Sequence, residues 1–210
     1  MLIRPLALIL LLLASPLYAL DRSQVADSPE NVTPLLNGQQ IPDVTLKTAQ
    51  GEAVNLRELV ASKPTVLLFY RGGWCPYCNA QLAGFQPVEK QFTALGYQLL
   101  AVSPDSPERL NEQKFDTDYQ VKLLSDPNLE AIRAFGLAFY LPDEIAAKYR
   151  DWKGNTFPTL PGSDRIVLPV PAAYVLDKDG LIQFQYVNPN YKVRVDPQLM
   201  YHAAKLAIKS

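Results

Sequence analysis

The chain has 210 residues, of which 48% are hydrophobic, a composition typical of a globular protein rather than a disordered or fibrous one. Lysine and arginine number 20 against 21 acidic residues, giving a formal net charge of −1, which argues against a nucleic-acid-binding surface or attachment to an anionic membrane. The length suffices for one domain with a substantial core, and two cysteines are available for thiol chemistry.

The N-terminal segment, residues 1–19, has the layout of a secretory signal peptide. Arg4 supplies a positive charge, an apolar run of about ten residues follows, and the segment ends on the small residue Ala19. The run is too short to span a bilayer, and no later stretch approaches the roughly 18 apolar residues that a span needs. We therefore expect an exported, periplasmic protein that leaves the membrane after cleavage. An uncleaved N-terminal anchor is the alternative.

Residues 20–40 read as an extension and residues 41–210 as the folded domain. The segment "PDVTLKTAQGEAVNLREL" predicts a short hairpin followed by a helical turn. "PTVLLFY", residues 64–70, is a continuous apolar run and predicts a buried central strand. From Pro76 to Gly96 apolar residues recur at helical spacing, which predicts a helix, and Pro87 predicts a kink within it.

Both cysteines lie where this strand leads into this helix, in "RGGWCPYC". Pro76 suits the first helical position, which places Cys75 near the N-cap and Cys78 in the first turn. The positive end of the helix dipole favours the thiolate, and the two-residue spacing lets the second sulfur resolve a bond formed by the first. The pair is therefore predicted to cycle between a dithiol and a disulfide.

Other uses of two cysteines are weaker. A structural disulfide stabilises most when it closes a long loop, and this one closes almost none. Haem attachment needs histidine directly after Cys78, where the chain has Asn79. Zinc needs about four ligands, and the only histidine is His202, in the predicted C-terminal helix. A non-catalytic Cu(I) carrier stays open as an alternative, because two thiolates can hold a soft metal.

The remaining elements alternate in type. We predict strands over residues 97–103 and in "VKLLSDP", helices over residues 107–115 and 128–135, a hairpin of residues 172–176 and 181–187, and a final helix over residues 197–208. A redox pair at a strand-to-helix junction, a βαβ half, a hairpin and a closing helix describe the thioredoxin fold. The expected class is thus α/β, a mixed sheet flanked by helices, with a proline-rich insertion before the hairpin.

The chain also resembles a known family. "IPDVTL", "VLLFYRGGWCPYC", "AVSPDSPERL", "LLSDPN" and "VPAAYVLDKDGLI" follow, in order and spacing, the pattern of the alkyl hydroperoxide reductase C/thiol-specific antioxidant family. The resemblance covers nearly all of residues 41–208 and favours the peroxiredoxin-like branch with C-P-x-C and an "NPNY" segment, residues 188–191. It implies a thiol-dependent oxidoreductase that needs no cofactor.

Two departures from the family pattern affect the site. Peroxiredoxins carry P-x-x-x-T-x-x-C, which puts Arg71 at the proline position, Cys75 at the threonine position and Cys78 at the peroxide-attacking cysteine. A second arginine, which normally precedes the late hairpin, is replaced by Pro171. At both positions the chain resembles thioredoxins and glutaredoxins instead, which carry their first cysteine and their cis-proline there.

The thioredoxin-like features imply further roles. A cis Val170–Pro171 bond would place the Val170 backbone beside the sulfurs, where it could align a substrate peptide; an ordinary trans proline opening a strand is the alternative. The buried acid that thioredoxins carry six residues before the first cysteine is Phe69 here. Arg71 is expected to favour the thiolate instead, unless it is a solvated surface residue.

Neighbours of the motif have supporting roles in this interpretation. Trp74 is expected to flank the site, together with Pro76 and Tyr77 of the motif itself. Four aromatic residues of the insertion, over residues 138–168, either line a substrate groove or pack the loop onto the core: Tyr140, Tyr149, Trp152 and Phe157. His202 is expected on a helix surface.

The sequence leaves two catalytic hypotheses open. In the preferred one, Cys75 attacks a disulfide, Cys78 resolves it, and the protein is a thiol–disulfide oxidoreductase. In the alternative, Cys78 attacks a hydroperoxide and its sulfenate condenses with Cys75, as in a thioredoxin-dependent peroxidase. The expected partners are a disulfide-containing protein or a small thiol or peroxide substrate, and a separate thiol reductant or oxidant.

Overall fold

A central mixed sheet organises the protein. The computed structural model describes residues 21–113, 119–152 and 157–208. Its strands are Thr45–Thr48 (β1), Ala53–Asn55 (β2), Thr65–Phe69 (β3), Gln98–Ser103 (β4), Lys122–Ser125 (β5), Ala138–Tyr140 (β6), Val167–Pro169 (β7), Ala172–Leu176 (β8) and Ile182–Val187 (β9). Seven of them form one sheet in the order β2-β1-β5-β4-β3-β8-β9, while β6 and β7 pair separately.

The strand directions match the predicted βαβ half and the predicted hairpin. β3, β4 and β5 run parallel to one another, and β8 pairs antiparallel with β3 and with β9. The helices are Leu56–Ser62 (α1), Pro76–Phe85 (α2), Glu89–Ala94 (α3), Pro107–Asn111 (α4), Glu130–Ala134 (α5), Asp143–Arg150 (α6) and Pro197–Ala207 (α7). A 3-10 turn, Gln86–Val88, separates α2 from α3 and marks the kink predicted at Pro87.

Strand β3 is buried along its whole length, as its unbroken apolar run predicts. Because side chains alternate between faces, Leu67 and Phe69 enter one core with α1 and α5. Val66 and Leu68 enter the opposite core with α2, α3 and α7. The sheet is therefore covered on both faces, and the loop after β3 emerges between its two layers of helices.

The insertion forms a third small core beside the end of β3. β6, β7 and α6 enclose Phe139, Leu168 and Val170. The extension before residue 41 packs onto this region, since Ala26 bridges Phe139 and the Thr33 N–H donates to the Gly136 carbonyl. The end of the predicted helix over residues 107–115 and the whole predicted signal peptide lie outside the described residues. Within the described residues, no helix has the length and apolar character to cross a bilayer.

Because the extension packs closely against Gly136, we predict that alanine substitutions at two glycines destabilise the protein to different extents. Gly136 has φ +68°, and a Cβ there would overlap the Thr33 carbonyl, whereas Gly162 has φ +77° and open space around it. We expect Gly136→Ala to lower the free energy of unfolding by about 2 to 4 kcal/mol and Gly162→Ala by about 1 kcal/mol, the backbone strain alone. Urea denaturation measures both; equal losses would contradict this contact.

Candidate active site

The loop between β3 and α2 is shaped by glycine and anchored by an acid. Gly72 has φ +138°, a left-handed conformation that favours glycine, and a side chain there would meet Trp74 and Asp105. Asp105, just past β4, accepts a 2.7 Å hydrogen bond from the Gly73 N–H. Its carboxylate also accepts from the Gln113 amide at 3.2 Å. Asp105 therefore positions the loop that leads into the two cysteines.

The cysteines occupy the positions that the sequence predicts. Cys75 is the N-cap of α2, Pro76 is the first helical residue, and Cys78 lies in the first turn, where its N–H donates to the Cys75 carbonyl at 3.0 Å. Both are free thiols. Cys75 is 1% exposed and Cys78 fully buried, so only a small molecule reaches either sulfur without movement of the surroundings.

The two sulfurs have different acidities. The Cys78 thiol donates a hydrogen bond to the Cys75 sulfur and lowers the pKa of Cys75 to about 6, with further lowering by the charges of Arg71 and Arg194. Burial raises the pKa of Cys78 well above its usual range, and the adjacent Cys75 raises it further. At neutral pH Cys75 is thus the thiolate and Cys78 the thiol.

Arg194 makes the most direct side-chain contact with both sulfurs. Its Nη2 donates to Cys78 Sγ at 3.2 Å and lies 4.0 Å from Cys75 Sγ. Its Nη1 donates to Gln81 Oε1 at 2.9 Å, and Gln81 lies on α2 one turn after Cys78. This arginine comes from the segment between β9 and α7. The guanidinium therefore faces the dithiol from outside α2.

Arg71 is buried rather than solvated, with 2% of its surface exposed. Its guanidinium carbon lies 4.2 Å from the Tyr191 ring centroid, 5.1 Å from that of Trp74 and 5.7 Å from that of Tyr149. Nη2 also donates to the Tyr149 hydroxyl at 3.1 Å. Aromatic faces offset part of the cost of burying a cation. Arg71 thus adds a positive charge beside Cys75, as the sequence interpretation requires.

The aromatic residues of the insertion gather around Trp74. Its ring lies 5.4 Å from Tyr149, 5.8 Å from Trp152 and 5.2 Å from Phe157, all in edge-to-face geometry. Tyr140 lies elsewhere, beneath the Arg165 guanidinium at 3.8 Å. The insertion therefore packs onto the core, and three of its aromatic residues cover the side of the site that Trp74 forms.

The predicted cis bond at Val170–Pro171 is wrong: no peptide bond in the described residues is cis. The insertion holds the backbone that precedes this bond. β7 pairs with β6, and this brings the Val170 N–H to the Leu137 carbonyl at 2.9 Å and buries Val170 completely. The predicted alignment of a substrate peptide by Val170 therefore lacks a free N–H donor.

The other predicted residues are placed as follows. Tyr77 is exposed, with its ring 5.7 Å from that of Tyr191. Phe69, at the position of the thioredoxin acid, packs 4.7 Å from Phe135 and brings no charge to the sulfurs. His202 is exposed on α7. In the described part of the chain, no three of the histidine, cysteine and acidic residues cluster in a way that could hold a metal.

Sequence reasoning missed Arg194, Gln81 and Asp105. The sequence position of Asp105 could have indicated its place in the site. Asp105 follows the strand parallel to β3, and loops at the carboxyl ends of neighbouring parallel strands meet. Arg194 follows the "NPNY" segment closely, but its position beside α2 depends on the path of the chain between β9 and α7. No local pattern specifies that path.

Comparison with known proteins places this geometry in a family. The model of the AhpC/TSA family matches residues 37–185. Peroxiredoxin Q, chloroplastic, from Sedum lineare is 29% identical over 153 residues, 72% of this chain and 68% of the relative. A putative peroxiredoxin bcp from Haemophilus influenzae is 30% identical over 50% of this chain and 68% of its own length. Peroxiredoxin bcp1 from Schizosaccharomyces pombe is 32% identical, and the chain spans about half of it.

Solved structures confirm the thioredoxin-type fold. Peroxidoxin BcpB from Mycobacterium tuberculosis has a TM-score of 0.62 at 19% identity, with 83% of this chain and 98% of that chain covered. Reduced Prx3 from Vibrio vulnificus, in complex with hydrogen peroxide, has a TM-score of 0.65 at 18% identity, with 81% and 99% covered. At these identities the likeness concerns the fold alone.

The different acidities of the two cysteines give a testable titration. We expect Cys75 to be alkylated by iodoacetamide with a midpoint at about pH 6, because the Cys78 thiol stabilises its thiolate. Cys78→Ala removes that donor and is expected to raise the midpoint by about one unit or more. Cys78→Ser keeps a hydroxyl donor, so its midpoint is expected to stay below that of Cys78→Ala. Peptide mass spectrometry locates the label. Alkylation of Cys78 first, or a midpoint near the ordinary 9.0, would contradict the assignment.

Proposed function

The chain belongs to the AhpC/TSA family and is an oxidoreductase, and from that premise we propose that it is a thiol-dependent peroxidase in which Cys75 attacks the peroxide. One observation carries the proposal: Cys75 has a pKa of about 6 while only 1% of its surface is exposed. A thiolate is the nucleophile in thiol chemistry. An enclosed thiolate suits a small hydroperoxide better than a disulfide held in a folded protein.

The reaction follows from the protonation states of the two sulfurs. The Cys75 thiolate attacks the distal oxygen of a hydroperoxide: an S–O bond forms, the O–O bond breaks, and the leaving alkoxide takes a proton to become an alcohol or water. Cys78 then attacks the sulfenic acid sulfur. The S–S bond forms, the S–O bond breaks, and the hydroxide leaves as water with the Cys78 proton. A separate dithiol reductant returns the disulfide to the dithiol.

This order of attack reverses the one that the family pattern implies. The pattern places Cys78 at the peroxide-attacking position, but burial keeps Cys78 protonated and its sulfur fully enclosed. Arg194 lies within 4.0 Å of both sulfurs, so it is placed to stabilise negative charge in either step. The second sulfur is held one helical turn away from the first, ready to resolve it.

Thiol–disulfide exchange is the second candidate. The C-P-Y-C sequence at a helix start and the lowered pKa of its first cysteine favour it. The bonded and buried Val170 N–H argues against docking of a protein substrate by main-chain pairing. A small disulfide is still compatible with the enclosure of Cys75.

Stopped-flow kinetics with hydrogen peroxide tests the proposal. Reduced protein is expected to react at pH 7 at least about ten times faster than free cysteine, because its thiolate fraction is larger. Cys75→Ser is expected to abolish this reaction. Cys78→Ser is expected to retain the first step and accumulate a sulfenic acid on Cys75 that dimedone traps.

Two other results would redirect the assignment. Activity that survives Cys75→Ser and disappears with Cys78→Ser would make Cys78 the attacking residue, as in the family pattern. Slow reaction with peroxide combined with fast reduction of glutathione disulfide would establish disulfide exchange as the activity.

We also propose that the protein acts after export to the periplasm. The proposal rests on the charge at Arg4, the apolar run that follows and the small residue Ala19. Disulfides persist in such a compartment, so the cycle needs a thiol reductant that operates there.

Expression of the full chain in a bacterium that has a periplasm tests the export. The protein is expected in the periplasmic fraction with an N-terminus at Leu20, read by mass spectrometry. Leu11→Arg places a charge in the apolar run and is expected to leave uncleaved protein in the cytoplasm. Leu36→Arg lies beyond the predicted signal peptide and is expected to leave export unchanged. Full-length protein in the membrane fraction would indicate an uncleaved anchor instead.

A further inference from the structure

The site holds more positive charge than its own residues neutralise. Arg71 and Arg194 both lower the pKa of Cys75 through their charge, so both guanidinium groups act on the same sulfur. Within residues 21–113, 119–152 and 157–208, neither guanidinium forms an ion pair with a carboxylate. Asp105, the buried acid of the loop, is bonded to Gly73 and Gln113 instead. Two cations therefore face one thiolate.

Both guanidinium groups also keep buried donors without partners. Arg71 has two such nitrogens, Nε and Nη1, and Arg194 has one, Nε. A buried donor that makes no hydrogen bond is destabilising, and the penalty is larger for a charged group. Arg71 is one of the largest fully buried side chains of the protein. A polar ligand at the site would satisfy these donors.

We infer that the site selects small substrates carrying one negative charge, such as organic hydroperoxides that bear a carboxylate. The donors at the sulfurs set this class: the only thiolate faces two guanidinium groups, and Asp105, the buried acid of the loop, is already bonded to the Gly73 N–H and the Gln113 amide, so unpartnered cationic donors remain for an anionic ligand. Solvent reaches the neighbourhood of the sulfurs at Arg194, which is partly exposed, while Tyr191 is partly exposed and packs against the exposed Tyr77. Enclosure of Cys75 limits the ligand to a small molecule.

The inference deepens the proposed function and rests on it for the identity of the reaction, but the anion preference has a separate readout. Iodoacetate and iodoacetamide have nearly the same size, alkylate the same thiolate and differ by one negative charge. The ratio of their rates is independent of the thiolate fraction, so a change in the pKa of Cys75 cancels. We expect this ratio to be at least about ten times higher for the native protein than for the protein unfolded in urea.

Charge variants assign the preference to residues. Arg71→Gln and Arg194→Gln are each expected to lower the ratio several-fold, and Arg71→Lys to recover part of it. Arg165→Gln is the matched control, because it removes one positive charge from the Tyr140 and Asp27 side of the insertion, and it is expected to leave the ratio within about twofold of the parent. A native ratio equal to the unfolded one, or an equal drop in Arg165→Gln, would overturn the inference.

A substrate pair completes the test. Cumene hydroperoxide with a para-carboxylate is expected to react about ten times faster than its methyl ester, with the advantage lost in Arg194→Gln. Equal rates would show that the anion preference does not extend to peroxides and would overturn the substrate class. If neither peroxide reacts while the alkylation ratio stays high, the peroxidase proposal fails and the anion preference stands.

Discussion

The charge at the start of α2 is the constraint on which the site depends. Arg71 and Arg194 bring two positive charges to a pair of buried sulfurs, and the counter-charge available at the sulfurs is the Cys75 thiolate. Desolvating a cation is costly unless an opposite charge or an aromatic face lies close. The rings of Trp74, Tyr149 and Tyr191 serve Arg71 in this way, so the insertion that supplies Tyr149 contributes to the electrostatics of the site.

Much of the fold could be predicted because its signals are local. The apolar run of β3, Pro76 at the first helical position and the Asp-Lys-Asp-Gly turn each specify their own element. Cys75 and Cys78 could be found for the same reason. Arg194 could not, because it reaches the sulfurs through a contact between residues more than 100 positions apart. The bonding of the Val170 N–H to the Leu137 carbonyl likewise depends on the pairing of β6 with β7, which the resemblance did not contain.

The replacement of an acid by Phe69 is consistent with this charge balance. A carboxylate there would lie in a core packed by Phe135 and Tyr174, where burial disfavours the charged form. Here the thiolate is stabilised by cations and by the Cys78 thiol, so the site needs no buried proton acceptor. In the proposed cycle, Cys78 keeps its proton until the resolving step releases it with water.

The same charges bias the redox equilibrium of the pair. Forming the Cys75–Cys78 disulfide removes the thiolate and leaves two guanidinium groups without a counter-charge. Interactions that stabilise the thiolate therefore favour the reduced dithiol over the disulfide, which makes the disulfide easier to reduce. A peroxidase benefits from that bias, because the driving force of peroxide cleavage supports the oxidation and the later reduction needs only a mild thiol. An anion that enters the oxidised site would replace the lost counter-charge and shift the balance back towards the disulfide.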